Sequence, residues 1–313
     1  MTAGARARSA FAAGAGRVWR ARVLVIGLWL STLVVAVPAA VALQAQLAAH
    51  LGDSLVGDRV ADGVDFDWWN EFLAQATGLG ASFVPAILGF AAVLDNASRV
   101  ADARPLETTL ALLVALQLAL NAWLTGGLLD RLARDARVGI AGFFAACGRW
   151  LPAIVPLLLV GGVCYAALFA WVHPWLFDTV YAAWTRDVTD ERTAFGLRLA
   201  LYGVFAVLVS AVNIWLDYAK ILAVAGGRPP LAALGEAALV LRRHPLAAGL
   251  LYGANVGLFL LAVAVYAVSA PGAATPVAAL VVGQAYITLR AAIRLQFMAS
   301  QMALALYDRP GAS

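Results

Sequence analysis

No aspartate or glutamate lies mid-way along any long apolar run of this chain, and lysine occurs once, at Lys220. The missing mid-run carboxylate counts against proton- or sodium-coupled transport, which carries its ion on an acid at membrane depth. The two cysteines, Cys147 and Cys164, would stand roughly 25 Å apart on one helix, against the ~7 Å a disulfide tolerates. His50, His173 and His244 are scattered without the paired spacing of a zinc site. Glycine-rich phosphate loops and Gly-x-Ser-x-Gly are absent too, so no catalytic residue, cofactor or metal is expected. Charge is also scarce: 13% of residues are charged, where a soluble domain carries about 25%. An ordinary soluble domain is thereby excluded.

What fills the chain is apolar: 63% hydrophobic residues and a mean hydropathy of +0.84. A run of ~20 such residues crosses the ~30 Å hydrocarbon core as a helix. Six runs qualify: Val23 to Leu47, Glu107 to Leu129, Leu151 to Val172, Leu199 to Leu216, Pro245 to Ser269 and Val277 to Leu306. The fold class expected is therefore all-α, a polytopic membrane bundle of six transmembrane helices plus two cytoplasmic interfacial amphipathic helices. Residues 1–313 form a single integral membrane domain in this reading. A signal peptide cleaved after Ala40-Val41-Ala42 is the rival account of the first run.

Residues 1–22 hold Arg6, Arg8, Arg17, Arg20 and Arg22 and read as a cytoplasmic arm. Residues 48–106 form an outer loop region. Within it, Asp67 to Phe72 predicts a short helix capped by Asp67, its tryptophans at headgroup depth. Ala81 to Leu94 is too short to span and suits a re-entrant or interfacial segment. Asp130 to Trp150, basic at both ends, predicts the first interfacial helix, with Pro152 in the first turn of the span that follows. His173 to Arg198 reads as a mixed-charge loop. The second interfacial helix opens at Pro229-Pro230, and Leu231, Leu234, Ala238 and Leu241 make its apolar face.

Most of the 22 basic residues fall in the arm, in 130–150 and in 218–244. The positive-inside rule then places both termini in the cytoplasm. Arginine in place of lysine, with much alanine, suggests a GC-rich bacterial genome, and so a bacterial inner membrane.

Arg290 and Arg294 are the sharpest candidates for a ligand site. They sit four residues apart within the last run and leave one helix face. An arginine at bilayer depth costs roughly 2.5–3.5 kcal/mol, so it either binds an anion, snorkels to the interface, or pairs with an acid such as Asp130 or Asp217. Asp130 and Asp217 each follow a leucine at the inner end of a span, in the loosely similar runs Leu129-Asp130-Arg131 and Leu216-Asp217-Tyr218. Gly249, Gly253 and Gly257 predict a smooth stripe for close helix contact, with Asn255 off the stripe and free to bond another neighbour.

Asp217-Tyr218-Ala219-Lys220, Gly226 to Leu234 and Leu241 to Pro245 resemble a pattern found in a family of bacterial six-helix inner-membrane proteins. Gly126 to Arg131 and Phe143 to Gly148 are similar to the same group. More distantly, the layout resembles the membrane domain that precedes some glycerophosphodiester phosphodiesterases. The resemblance implies a six-helix fold and an inner-membrane location. No phosphodiesterase domain lies in these residues, and that activity does not carry over.

The function expected is a non-enzymatic accessory or lipid-interacting scaffold. Its partners would be membrane lipids and a membrane protein or a second copy of the chain, with no nucleic acid. A transporter or permease component for an anionic solute or lipid is the alternative, using Arg290 and Arg294. A membrane-embedded lipid-modifying enzyme is third and would need Asp130, Asp217 and Tyr218 to converge.

Overall fold

Among the described residues of the computed structural model, six helices are long and apolar enough to cross a membrane, and no strand occurs. The structure describes residues 2–52, 55–62, 65–82, 97–269 and 275–307. In chain order the elements are α1 (Ala3–Arg20), α2 (Val23–Leu51), α3 (Val56–Asp62), α4 (Phe66–Gln75) and α5 (Thr108–Arg134). There follow α6 (Ile140–Thr185), α7 (Glu191–Ala225), α8 (Pro230–Arg243), α9 (Pro245–Ser269) and α10 (Pro276–Ala305). The spanning helices are α2, α5, α6, α7, α9 and α10, so the chain is a multi-pass, all-α membrane protein. Contacts divide it into two compact units, one of Met1–Ala21, Ala122–Val256 and Arg294–Ser313, the other of Arg22–Asn121 and Gly257–Ile293.

In the first unit, α7 packs against both α6 and α8. The stretch 130–150 does not form the separate interfacial helix that its charge pattern predicts. Asp130 to Arg134 is the last turn of α5, and Ile140 onward belongs to α6. The reason is close packing: a Cβ on Gly126 would lie 2.6 Å from Trp150 Cβ, and one on Gly127 would collide with Cys147 Sγ. Two adjacent glycines thus let α5 and α6 meet at backbone distance. Cys147 and Cys164 are free thiols on that one helix. Pro152 therefore sits inside α6 and not in its first turn.

The mixed-charge loop expected over His173 to Arg198 is also displaced. α6 continues to Thr185, α7 begins at Glu191, and only residues 186–190 connect them. Wide π turns, Leu168–Val172 and Trp175–Val180, flank Pro174 and carry the helix past its missing N–H. Leu176, Leu201 and Phe205 form a buried cluster there, and the His173 ring lies 4.6 Å from Phe177 and 5.3 Å from Phe205. Asp178 points outward, so charge did not oblige the chain to leave the helix. Asp190 caps α7, accepting from the Thr193 N–H at 2.9 Å.

Pro229 and Pro230 open α8 as their fixed φ favours. Its buried face is Ala233, Leu234 and Ala237, whereas Leu231 is 79% exposed, so the apolar stripe is rotated from the one expected. Within residues 1–22, α1 is an alanine-rich helix that buries Ala7, Ala10 and Gly14. Gly14 meets α10 so closely that a Cβ would lie 2.8 Å from Ser300 Cα, and Gln296 Nε2 donates to Phe11 O at 2.9 Å.

In the second unit, Trp29 Nε1 donates to Gln284 Oε1 at 2.7 Å, and Tyr266 stacks on Tyr286 at 4.5 Å. α4 is capped by Asp65, whose carboxylate accepts from the N–H groups of Asp67 and Trp68 at 3.1 Å. Asp67, the expected cap, lies two residues too late, inside the first turn, because Phe66 is already helical. Trp69 and Phe72 turn inward, and Trp68 stacks on Phe72 at 5.4 Å. Of the predicted re-entrant segment Ala81 to Leu94, residues 83 onward lie outside the described residues.

Candidate functional site

The polar groups at the arginine-rich end of the first unit gather in two clusters, each around one of the singled-out aspartates. α7 presents Asn213, Asp217 and Lys220 on successive turns, so all three share a face. Lys220 Nζ donates to Asp217 Oδ1 at 2.8 Å. Asn213 Nδ2 and Gln301 Nε2 each reach Asp217 Oδ2 at 3.4 Å. Asn213 also donates to the Tyr252 hydroxyl at 3.4 Å and accepts from the Tyr165 hydroxyl at 3.5 Å. Four helices, α6, α7, α9 and α10, are tied through one carboxylate and one carboxamide.

The second cluster centres on Asp130, which is buried. Arg134 bonds it from one turn on, Nε to Oδ2 at 2.8 Å, and Trp150 Nε1 donates to Oδ1 at 2.9 Å. Beside it, Arg20 grips Asp135, with Nε at 3.1 and 3.0 Å from the two oxygens and Nη2 at 2.6 Å from Oδ2. Asp135 follows the last residue of α5 at φ 47°, the left-handed position that ends many helices and that aspartate tolerates. The Arg20 hydrogen bonds hold its carboxyl below the usual carboxylate range, against a smaller opposing effect of burial. Arg131 reaches the Arg20 carbonyl at 3.4 Å.

Arg290 and Arg294 both lie on α10, exposed and half-buried respectively. Asp217 spends its oxygens on Lys220, Asn213 and Gln301, and Asp130 on Arg134 and Trp150, so the two acids serve separate clusters. Tyr218 follows Asp217 on α7 but points elsewhere; it is 1% exposed and sits in the core. The carboxylate, its neutralising base and the amides of the Asp217 cluster can hold helices together. A nucleophile with an aligned base is not among them.

The glycine stripe behaves differently from its prediction. A Cβ added at Gly249, Gly253 or Gly257 would meet nothing within 4 Å, so the stripe faces open space. The packed side of α9 is Ala247, Ala248, Leu251 and Asn255. Asn255 does bond a neighbour: its Nδ2 donates to Leu251 O at 2.9 Å and to Ser300 Oγ at 3.1 Å. Reasoning from sequence missed Gln301 and Tyr165. Both are polar residues within apolar runs, which was the available signal.

These elements define a polytopic helical membrane protein whose polar clusters bond one helix to another. Compared with known proteins, the chain matches no family model, no curated protein and no solved structure.

Proposed function

We propose that this chain is a non-enzymatic, lipid-interacting scaffold of a bacterial inner membrane, with both termini in the cytoplasm. One observation carries the reading. At the arginine-rich end, Asp130, Asp135, Asp217 and Glu236 are each paired to a base of the same chain. Arg8, Arg137, Arg149, Arg242 and Arg243 are meanwhile exposed. Acids neutralised by bases of the same chain and arginines turned outward make a surface suited to the anionic headgroups of a cytoplasmic leaflet, each basic residue near it contributing about 1 kcal/mol.

The test is thermal unfolding of the purified protein in mixed micelles. Phosphatidylglycerol should raise the melting temperature more than phosphatidylcholine at equal mole fraction, with the difference shrinking in high salt. Equal stabilisation by both lipids would remove the basis of the reading.

A further inference from the structure

Where α8 hands over to α9, a cavity of about 220 Å³ opens in the first unit, lined by Ala3, Arg6, Arg243, His244 and the turn Pro245, Leu246, Ala247. None of those lining residues is acidic. Arg6 is held in place rather than waving in solvent. Its Nη1 donates to His244 Nδ1 at 2.7 Å, and its guanidinium carbon stands 5.6 Å from the centre of the Tyr307 ring. The Arg6 Nε is buried, and among the described residues no acceptor reaches it.

Backbone adds to this positive field. Ala3 is the first residue of α1, so one helix begins at the cavity wall, whereas the start of α9 at Pro245 is offset by the end of α8 at Arg243. First-turn N–H groups have no carbonyl within their own helix, and each helix start carries about half a positive charge. Arg6, Arg243 and the start of α1 border a space with no acid among its described lining residues. A carboxylate would offer two oxygens to these donors; a phosphate offers three or more in a tetrahedral array, matching donors that arrive from several sides.

We propose that this cavity binds a phosphate group, carried either by a lipid headgroup or by a free phosphate compound. In its lipid form the proposal rests on the scaffold reading above and sharpens it to one headgroup chemistry and one place. His244 then acts as the positioning residue: accepting from Arg6 through Nδ1, it orients the guanidinium toward the cavity.

The experiment compares the full-length chain with three variants in detergent. Arg6→Gln/Arg243→Gln removes both cations. Ala3→Glu places a carboxylate inside the cavity, at a helix start where an acid is favourable and folding is preserved. Arg186→Gln removes an exposed arginine of the 186–190 connection, outside the lining and outside the arginine surface described above. Native mass spectrometry in micelles doped with phosphatidylglycerol counts retained lipid, and a melting curve against inorganic phosphate reads the free anion. Wild type and Arg186→Gln should keep one phosphatidylglycerol that both cavity variants bind at least tenfold more weakly. If all four proteins retain the lipid alike while phosphate stabilises only wild type and Arg186→Gln, the cavity is a phosphate site filled from solution. If neither probe separates the cavity variants from wild type, the proposal is overturned. A wild type that takes no anionic lipid at all sinks the scaffold reading, while the phosphate titration still decides the cavity.

Discussion

Asp217 and Gln301 meet at 3.4 Å although 84 residues separate them, and through this contact the final helix is fastened to α7. Asp217 also neutralises Lys220, so removing it leaves a half-buried ammonium and two amide donors without their acceptor. Losing a hydrogen bond to a charged partner costs about 1.5–3 kcal/mol. Asp217→Ala should lower the melting temperature in detergent, and Asp217→Asn/Lys220→Gln should recover part of the loss by removing both charges together. A silent Asp217→Ala would show that the cluster does not hold the helices.

Gly14 predicts a steric outcome. A valine there must push against the Ser300 backbone, which cannot swing aside as a flexible side chain would. Overpacking of this kind costs about 1–3 kcal/mol. Gly14→Val should release α1, seen as new cleavage near Arg17 and Arg20 in limited trypsin digestion, whereas Gly4→Val, with nothing within 4 Å, should leave the digest unchanged.

The Arg20–Asp135 pair predicts a pH dependence. Folded Asp135 titrates below its unfolded value of about 3.9, chiefly through the Arg20 hydrogen bonds. A depressed carboxylate stabilises above the unfolded value and loses that contribution as pH falls through the folded one. Wild type should therefore melt above Asp135→Asn at pH 7, and the gap should close as the pH falls below the unfolded value and through the lower folded one. With side chains 55% and 35% exposed, the gap should also narrow in 1 M salt.

Asn255 and Ser300 are both fully buried and joined at 3.1 Å. Interhelical hydrogen bonds in membranes average about 0.6 kcal/mol by double-mutant cycles. The cycle Asn255→Ala, Ser300→Ala and the double variant should give a coupling of that order in detergent unfolding, and additive losses would mean the contact contributes nothing.

Arg290 separates the scaffold from the permease. An Arg290→Cys variant in intact membranes should resist a water-soluble maleimide applied from outside. Labelling there would place the position in an aqueous pathway and favour transport of an anion.

The six spans were legible because apolar length is a local property: α9 was bounded by Pro245 and Ser269, and α8 was announced by Pro229-Pro230. Asn255 was legible too, since an amide in an apolar run needs a partner. Charge misled. Residues 130–150 and 173–198 looked like membrane surface and loop, yet Asp130 finds Trp150 across a helix pair and His173 finds Phe205. Such pairings are set by packing between helices, which spacing along one helix does not encode. The helicity of α1 was hidden behind its arginines, although Ala7, Ala10 and Gly14 already recur at helical spacing. Gln301 bears no local mark tying it to Asp217.

At ~1.5 Å per residue, the 46 residues of α6 measure about 69 Å. Even tilted by ~40°, that exceeds the ~40–45 Å of a whole bilayer with its headgroups. α6 is thus longer than a bilayer is thick, and its C-terminal part is paired with α7 and stiffened by Phe169, His173, Phe177 and Phe205. The hairpin is a strut of fixed height. One residue inserted beyond Val180 would raise Trp184 by ~1.5 Å and swing it by ~100°, so whatever meets that tip is measured off by helix length.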